Sequence, residues 1–443
     1  MLYNTRGCTA RKPASLSYTP PQRVLMSGKS RKRGQAQPEA ALAHSQTTPG
    51  QNIDAYVPSA TGAVRARTGA GTAVLTIGTI LALLALLWLG LSLFAPGVLP
   101  NPFSASKTPQ PTETSFPEGR ISFLRTNESG GRDLFVVNPD GTNQQQVTTD
   151  IIVEGSTSWS PDGRSIAIQA SVNGFSTIVR ITLGGDNKPL PNESVQLTAD
   201  IKADSALPAW SPDGTMIAFQ SKRDGGEHQV FVMDVNGNNK RRVSGGNGFA
   251  GQPAWSPDSK NVVYVAGERA DPTVPKDIYV APATGGEPRK VLSRGTSLRR
   301  PLWTTDGKYI VCVEGPGERN QALLVMNPDG SLPRVLVDAA QTPQLSPLGD
   351  KVVYYIVDQT QTLDSDIFVA SITESQTPTN LTTQTRDDYY PAWSPDASRL
   401  TWASGRGARG HRIVVANPDG SNLKEVSTGP GDDFLPLWSQ PVK

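Results

Sequence analysis

A short phrase recurs along this chain at nearly constant spacing, and it constrains the fold more than any other feature. The phrase is Trp-Ser-Pro-Asp-Gly or a close variant, and its tryptophans from Trp159 to Trp303 lie 51, 45 and 48 residues apart. The next 90 residues, from Trp303 to Trp393, are halved by a degenerate copy at residues 345–349, and a last copy begins at Trp438. A fixed period of this length indicates a repeat architecture built from one small structural unit.

Each copy is followed by signals for short strands and tight turns. After Trp210, apolar runs at residues 216–219 and 230–233 flank a charged stretch, and an Asn-Gly turn precedes a further short run at residue 243. Later turns read Asn-Pro-Asp-Gly, in which proline presets φ and glycine takes the left-handed conformation. Four short strands in every 40 to 50 residues are typical of a propeller blade. The sequence therefore predicts an all-β propeller.

The number of repeats predicts seven blades and a particular way of closing the ring. The first unit lacks the strand that opens the others, and residues 436–439 resemble that missing strand without the rest of a blade. We expect the carboxy-terminal strand to pair into the first blade, which hides open sheet edges. The units begin near Pro117, Trp159, Trp210, Trp255, Trp303, Leu345 and Trp393.

These repeats resemble the TolB-type, WD40-like propeller family, whose mark is Trp-Ser-Pro-Asp-Gly before an Ile-Ala-Phe strand. The resemblance covers residues 117–441, and five good copies carry it. It implies the propeller fold and an exported bacterial protein, although members named for TolB have six blades. It does not imply one function, because a fold hosts many.

An uncharged apolar segment lies before the repeats. It runs for 22 residues, from Ala73 to Phe94, and a helix of that length spans ~33 Å, enough for a bilayer core of about 30 Å. It is longer than the apolar core of a signal peptide, and about 70 residues precede it. The sequence predicts a retained transmembrane helix within residues 71–95.

The charges on either side of this segment predict its orientation. Ten basic and two acidic residues precede it, and no Lys or Arg follows until Lys107. The positive-inside rule then places the amino terminus in the cytoplasm and the propeller outside the membrane. Residues 1–70 are poor in large apolar residues and predict a disordered basic cytoplasmic tail, and the five prolines in residues 96–116 predict an extracytoplasmic linker.

Composition and motifs limit the chemistry that this chain can perform. Without the basic tail, the chain has 32 basic and 38 acidic residues, which argues against a nucleic-acid partner. The propeller has only two histidines, His228 and His411, so we expect no metal site, and no Walker or dinucleotide motif indicates a cofactor. No Gly-x-Ser-x-Gly motif is present. The sequence predicts a protein that is not an enzyme.

The candidate binding residues lie where each innermost strand begins. These positions should rim the central channel, and they vary while the scaffold repeats, as binding residues on loops do. Acidic residues of blades seven and one should come together, with two arginines across the mouth. The predicted ligand-binding residues are Glu154, Asp204, Arg299, Arg300, Asp387, Asp388, Tyr389, Asp432, Asp433 and Phe434.

Two main functions remain open from the sequence, beside a third possibility, signal transfer from the propeller to the cytoplasmic tail, which needs a separate cytoplasmic partner. The first is a membrane-anchored extracytoplasmic binding module without catalysis, whose partner is a protein, a peptide or an envelope polysaccharide. The alternative is a carbohydrate-active enzyme, a lyase or a glycosidase, that uses carboxylates at the propeller mouth. Related seven-bladed lyases hold a metal with several histidines, which this chain does not supply.

Overall fold

The fold is all-β. A computed structural model describes residues 119–149, 151–199, 203–315, 321–357, 365–374, 376–383, 387–405 and 410–442. These residues form seven four-stranded antiparallel sheets and no helix, which confirms the predicted seven-bladed propeller. The predicted tail, transmembrane helix and linker, residues 1–116, lie outside the described residues. Within the part of the chain that the structure describes, no helix is long and apolar enough to cross a membrane.

The blades follow the chain in order, with four strands each from the channel outwards. The two middle strands of each blade contain continuous runs of buried or half-buried apolar residues, because both faces of the sheet pack against neighbouring sheets, while the outermost strands are short and more exposed. The strands are β1 (Ile121–Thr126), β2 (Arg132–Val137), β3 (Gln145–Gln146), β4 (Ile152–Trp159), β5 (Ser165–Val172), β6 (Phe175–Thr182), β7 (Val195–Gln196), β8 (Ser205–Trp210), β9 (Met216–Ser221), β10 (Gln229–Asp234), β11 (Arg241–Arg242), β12 (Phe249–Trp255), β13 (Asn261–Gly267), β14 (Lys276–Pro282), β15 (Arg289–Leu292), β16 (Leu298–Trp303), β17 (Ile310–Glu314), β18 (Ala322–Met326), β19 (Arg334–Val337), β20 (Gln341–Leu345), β21 (Lys351–Val357), β22 (Ser365–Ser371), β23 (Thr379–Asn380), β24 (Asp388–Trp393), β25 (Leu400–Gly405), β26 (His411–Ala416), β27 (Lys424–Glu425) and β28 (Asp433–Trp438).

The last strand closes the ring, as the sequence predicts. β28 pairs antiparallel with β1, so that the first blade has the order β28-β1-β2-β3. Two further hydrogen bonds extend this pairing: Ser439 N donates to the Arg120 carbonyl, and Arg120 N donates to Ser439 Oγ, both at 2.8 Å. The two ends of the propeller sequence therefore form one sheet.

The repeated Ser-Pro-Asp turn has a structural purpose. In the blade 4 copy, Ser256 Oγ donates to Asp258 at 2.6 Å, and Lys260 N donates to the same carboxylate at 3.1 Å. The bond from Ser256 lowers the pKa of Asp258. In the degenerate copy of blade 6, Ser346 donates instead to Asp350, at 3.1 Å. The turn therefore keeps a serine–aspartate hydrogen bond in blade 6, because Asp350 replaces the aspartate that this copy of the repeat lacks.

The repeated tryptophan joins neighbouring blades. Trp159 of blade 2 is 7% exposed and packs among apolar residues of blade 1 that include Leu124 and Leu134. Its Nε1 donates to Ser122 Oγ of β1 at 2.9 Å. Burying a ring of this size contributes a few kcal/mol, about 25 cal/mol per Å² of apolar area. The regular spacing of tryptophan therefore reflects packing between blades.

Candidate functional site

The innermost strands of all seven blades surround a central channel. It contains a cavity of 510 Å³, within the size range of ligand sites. Prolines line it in six blades, and blade 2 contributes Gly155, Ser156 and Thr157 in the equivalent place. The channel-lining prolines are Pro208, Pro253, Pro301, Pro343, Pro391 and Pro436.

The residue before each of these prolines adopts a left-handed backbone conformation and also lines the channel. The six φ angles lie between 42° and 55°, and the strand pairing shifts register at each bulge. Left-handed residues other than glycine are uncommon and cost about 1–3 kcal/mol each, and they cluster at functional sites. The six residues are Leu207, Gln252, Arg300, Thr342, Tyr390 and Leu435.

Blade 2 interrupts this ring. A Cβ atom added to Gly155 would meet only Arg132 Nη1, at 4.0 Å, so the ring has a gap at this blade. The neighbouring blades place Leu435 and Leu207 on the two sides of the gap. Polar residues of blades 4 to 7 line the rest of the channel. Leu435 and Leu207 are thus the apolar members of the ring, although Glu154 and Arg132 also line the channel beside the gap.

Three of the predicted residues come together around His411 at the end of the channel where the innermost strands begin, which we call the mouth. Asp432 accepts a hydrogen bond from His411 N at 2.8 Å, and its Oδ1 lies 3.4 Å from His411 Nδ1. The Tyr389 ring centroid lies 5.4 Å from that of His411. Burial raises the pKa of Tyr389, and the nearby Asp387 adds to this effect.

Asp387 retains unused hydrogen-bonding capacity. Its Oδ1 is buried and has no hydrogen-bond partner among the described residues. The same holds for Nε2 of His411. Buried polar atoms are usually satisfied, so two unsatisfied atoms at one mouth indicate a place where a ligand or water would bind.

Two predicted residues, Asp388 and Asp433, are buried. Asp433 is 0% exposed and accepts hydrogen bonds from Arg125 Nε and Nη2 at 2.6 and 2.9 Å. Asp388 is 2% exposed and accepts from Trp402 Nε1 at 3.2 Å. Successive residues of a strand point to opposite faces, so the acids next to Asp387 and Asp432 point into the protein. Neither side chain is available to a ligand at the mouth.

The predicted acids of blades 2 and 3 share one partner. The Glu154 carboxylate accepts hydrogen bonds from Gln169 Nε2, at 2.9 Å, and from Ser176 Oγ. Asp204 accepts from Ser176 N at 3.2 Å. Glu154 also lines the channel, so its charge faces the cavity.

The predicted arginines lie in blade 5, and the predicted phenylalanine lies in the closing strand. Arg300 is exposed and lines the channel, and its backbone N donates to Gln252 Oε1 at 2.7 Å. Arg299 is half-buried and donates to the Gly315 carbonyl at 3.2 Å. Phe434 is half-buried, with the Arg132 guanidinium 5.3 Å from its ring centroid. Among the predicted residues, positive charge therefore lies in blade 5 and negative charge in blades 1, 2, 3 and 7.

The burial of Asp388 should make stability depend on pH. Burial raises the pKa of Asp388 to about 6, and the hydrogen bonds from Ser404 and Thr382 only partly offset this. The pKa of Asp388 is 3.8 in the unfolded chain and about 6 in the folded one. Protonated Asp388 therefore contributes stability that is fully present below pH 3.8 and is lost as the pH rises through about 6. Two pKa units correspond to about 3 kcal/mol.

We expect the Asp388→Asn variant to be more stable than the wild type at pH 7.5, to keep about half of that advantage at pH 5 and to lose most of it by pH 4. An amide oxygen still accepts from Trp402 and carries no charge to desolvate. The urea midpoints of the variant and the wild type are measured across this pH range. Their difference reports the effect of Asp388, because the other titrating groups contribute equally to both proteins. An equal shift of both midpoints with pH would contradict it.

The two propeller histidines lie in different blades. His228 precedes β10 of blade 3 and packs against Phe249, with ring centroids 6.4 Å apart, and burial lowers its pKa. His411 begins β26 of blade 7. Among the residues with described positions, no group of three or more His, Cys, Asp or Glu could hold a metal ion. That the protein uses no metal stays a prediction.

Comparison with known proteins identifies the repeats. Residues 187–363 match the TolB beta propeller domain. A TolB homolog of Protochlamydia amoebophila is 28% identical over 133 residues, 29% of this chain and 28% of the relative. The uncharacterized peptidase YuxL of Bacillus subtilis is 36% identical over 59 residues, 13% of this chain and 9% of the relative. The chain thus matches less than a third of the length of these relatives.

Among solved structures, an oligogalacturonate lyase in complex with manganese is similar in fold. The TM-score is 0.52 at 15% sequence identity, over 70% of this chain and 86% of the lyase. At this identity the likeness concerns the fold alone. Propellers of this type therefore occur both in enzymes and in proteins named for TolB.

Proposed function

We propose that the protein, whose residues 187–363 match the TolB beta propeller domain, binds a protein or peptide at the channel mouth and catalyses no reaction. The observation that carries the proposal is the unsatisfied pair at the mouth, Asp387 Oδ1 and His411 Nε2. The mouth site comprises Glu154, Asp204, Arg299, Arg300, Asp387, Tyr389, His411, Asp432 and Phe434.

The charges of the mouth site favour a ligand with a basic segment. The carboxylate of Asp432 is 52% exposed, and Asp387 lies close enough to Tyr389 to help raise the pKa of that tyrosine. A hydrogen bond that involves a charged group contributes about 1.5–3 kcal/mol when it is shielded from water. Tyrosine beside such groups is typical of residues that carry binding energy. Arg300, across the channel, would receive an acidic or carbonyl group of the same ligand.

The proposed location rests on the sequence. The uncharged residues 73–94 and the basic residues before them support a single-pass anchor with the amino terminus in the cytoplasm. The mouth would then face the extracytoplasmic side of a bacterial cell membrane. A partner on that side is an envelope protein, a secreted peptide or an envelope polysaccharide, and the charge of the mouth favours the first two.

The test is capture of a partner from crosslinked membranes by the full-length protein. We expect the Asp387→Asn/Asp432→Asn variant to retain about a tenth or less of a partner that the wild type captures, since each lost charge contact costs about 1.4 kcal/mol or more. The control is Glu193→Gln/Glu374→Gln, which removes the same charge from two exposed acids on connections between outer strands. Equal capture by wild type and mouth variant would contradict the proposal.

The carbohydrate alternative gives a different result in the same experiment. A carbohydrate-active enzyme would release shortened or unsaturated products from an acidic polysaccharide, and the mouth variant would lose that release. Retained glycan together with product release by the wild type would replace the binding proposal with the enzymatic one. Partner capture without product release from any envelope polysaccharide supports the binding module.

A further inference from the structure

A second cavity lies away from the channel, beside blade 4. It has a volume of 320 Å³ and is lined by residues that include Gly245, Gly246, Asp277, Tyr279, Glu287 and Pro288. Glycines keep it open: a Cβ atom on Gly246 would meet nothing within 4 Å, and one on Gly245 would reach only the Pro288 ring, at 3.4 Å. We call this cavity the blade 4 groove.

Two stacked tyrosines form one wall of the groove. Tyr264 and Tyr279 are paired across β13 and β14, with ring centroids 5.7 Å apart and an interplanar angle of 18°. Tyr264 is 1% exposed, so the core fixes its position, while Tyr279 is half-buried. A fixed aromatic wall attracts cations at little cost in conformational entropy.

One ammonium group of this chain contacts two residues that line the groove, Asp277 and Tyr279. Lys290 Nζ lies 2.8 Å from Asp277 Oδ2 and 5.7 Å from the centroid of the Tyr279 ring. The Lys290 side chain is 48% exposed, so it is held at its tip alone. The position of this ammonium group shows that the carboxylate and the tyrosine are arranged to receive a cation.

One carboxylate of the groove has no cation. Glu287 is exposed and has no hydrogen bond or ion pair among the described residues. The nearby Arg242 is occupied, since it donates to Ser244 O at 2.9 Å, to Gly246 O and to Asp224. Asp277 is therefore paired with Lys290, whereas Glu287 has no such partner. A further ammonium, Lys276 Nζ, lies 5.8 Å from the ring centroid of the groove residue Phe249, but it donates to the carbonyls of Asp271 and Val274.

We propose that the blade 4 groove binds an organic ammonium group of a ligand, with Glu287 as its counter-ion, Tyr279 as its aromatic contact and Lys290 as a tethered competitor. This site is independent of the mouth site. The ammonium belongs either to a lysine side chain of a peptide or to a free alkyl diamine, and the two sources share the same recognition chemistry.

The test measures binding of n-butylammonium, which reproduces the end of a lysine side chain, to the full-length protein by calorimetry. We expect Glu287→Gln to weaken binding about tenfold and Lys290→Met to strengthen it several-fold, because the first removes the counter-ion and the second removes the competitor. Both residues are exposed enough for the fold to survive. Stronger binding of 1,4-diaminobutane than of a lysine tripeptide, or the reverse, identifies the source.

The matched control is Lys308→Met. Lys308 Nζ lies 3.0 Å from Asp306 in an exposed ion pair outside the groove, so its loss should leave butylammonium binding unchanged. Uncharged 1-butanol should not bind to any of the variants. Equal affinity of Glu287→Gln and wild type, or no gain in Lys290→Met, would overturn the proposal.

Discussion

Replacing Asp433 by asparagine is expected to lower the free energy of unfolding by about 3–5 kcal/mol, the usual cost of breaking a buried ion pair from one side. Asp433 is fully buried and receives two hydrogen bonds from Arg125, which is itself 6% exposed. Ser427 Oγ donates a third, at 2.6 Å. An asparagine leaves the buried guanidinium of Arg125, and that of Arg412 at 3.9 Å, without this counter-ion, and the uncompensated charge dominates the cost.

Urea unfolding of the variant and of a matched control measures this loss. The control is Asp224→Asn, which breaks the exposed 3.5 Å pair with Arg242 and should cost less than about 1 kcal/mol. A combined Arg125→Met/Asp433→Leu variant should recover part of the stability, since it removes two of the three buried charges and leaves the Arg412 guanidinium, which lies 3.9 Å from Asp433 Oδ2. The explanation fails if Asp433→Asn costs no more than Asp224→Asn.

The architecture was predictable from the sequence because its signals are local. Each Trp-Ser-Pro-Asp turn satisfies its own hydrogen bonds within a few residues, so its presence reveals a blade without knowledge of the neighbours. The degenerate blade 6 was also recognised from spacing, although the replacement of its aspartate by Asp350 was not. The ring closure followed from counting strands, since blade one began without its innermost strand.

The site was less predictable because it depends on which face of a strand a residue occupies. Asp432 and Asp433 are consecutive, yet one carboxylate is 52% exposed and the other 0%. The bulge at Leu435 determines which side chains of that strand face the channel and which face the core. No local signal in the sequence reveals this before the register of strand pairing is known. His411 was missed as a member of the mouth site for a related reason: it meets Asp432 only after the ring closes.

The sequence nevertheless contains a signal for the channel lining. A proline occurs two residues before the tryptophan position in six of the seven repeats, as in Leu207-Pro208 and Arg300-Pro301. Proline lacks the N–H that a regular ladder requires, so its repetition within an innermost strand indicates a bulge. The residue before it is then the one that lines the channel. Blade 2 has no such proline, and its Gly155-Ser156 pair lies at the gap in the ring.

Ending the chain before Asp433 is expected to abolish the native fold of the propeller. The deletion removes β28, and with it the innermost strand of blade 1 and the buried Trp438, which is 7% exposed. It leaves the edge of β1 unpaired and the charge of Arg125 without its partner. Burial of a large apolar side chain contributes about 1.5–3 kcal/mol, and several are lost together, so the sum approaches the whole stability of a typical domain.

Near-ultraviolet circular dichroism and protease resistance of the truncated protein measure this loss, and deletion of only residues 441–443 is the control. A synthetic peptide of residues 430–443 should restore both signals when added in trans, because β28 joins the sheet by edge pairing alone. The same peptide with Asp433→Asn should restore them poorly, since it cannot neutralise Arg125. Cooperative unfolding of the truncated protein without any peptide would show that the ring does not depend on its last strand.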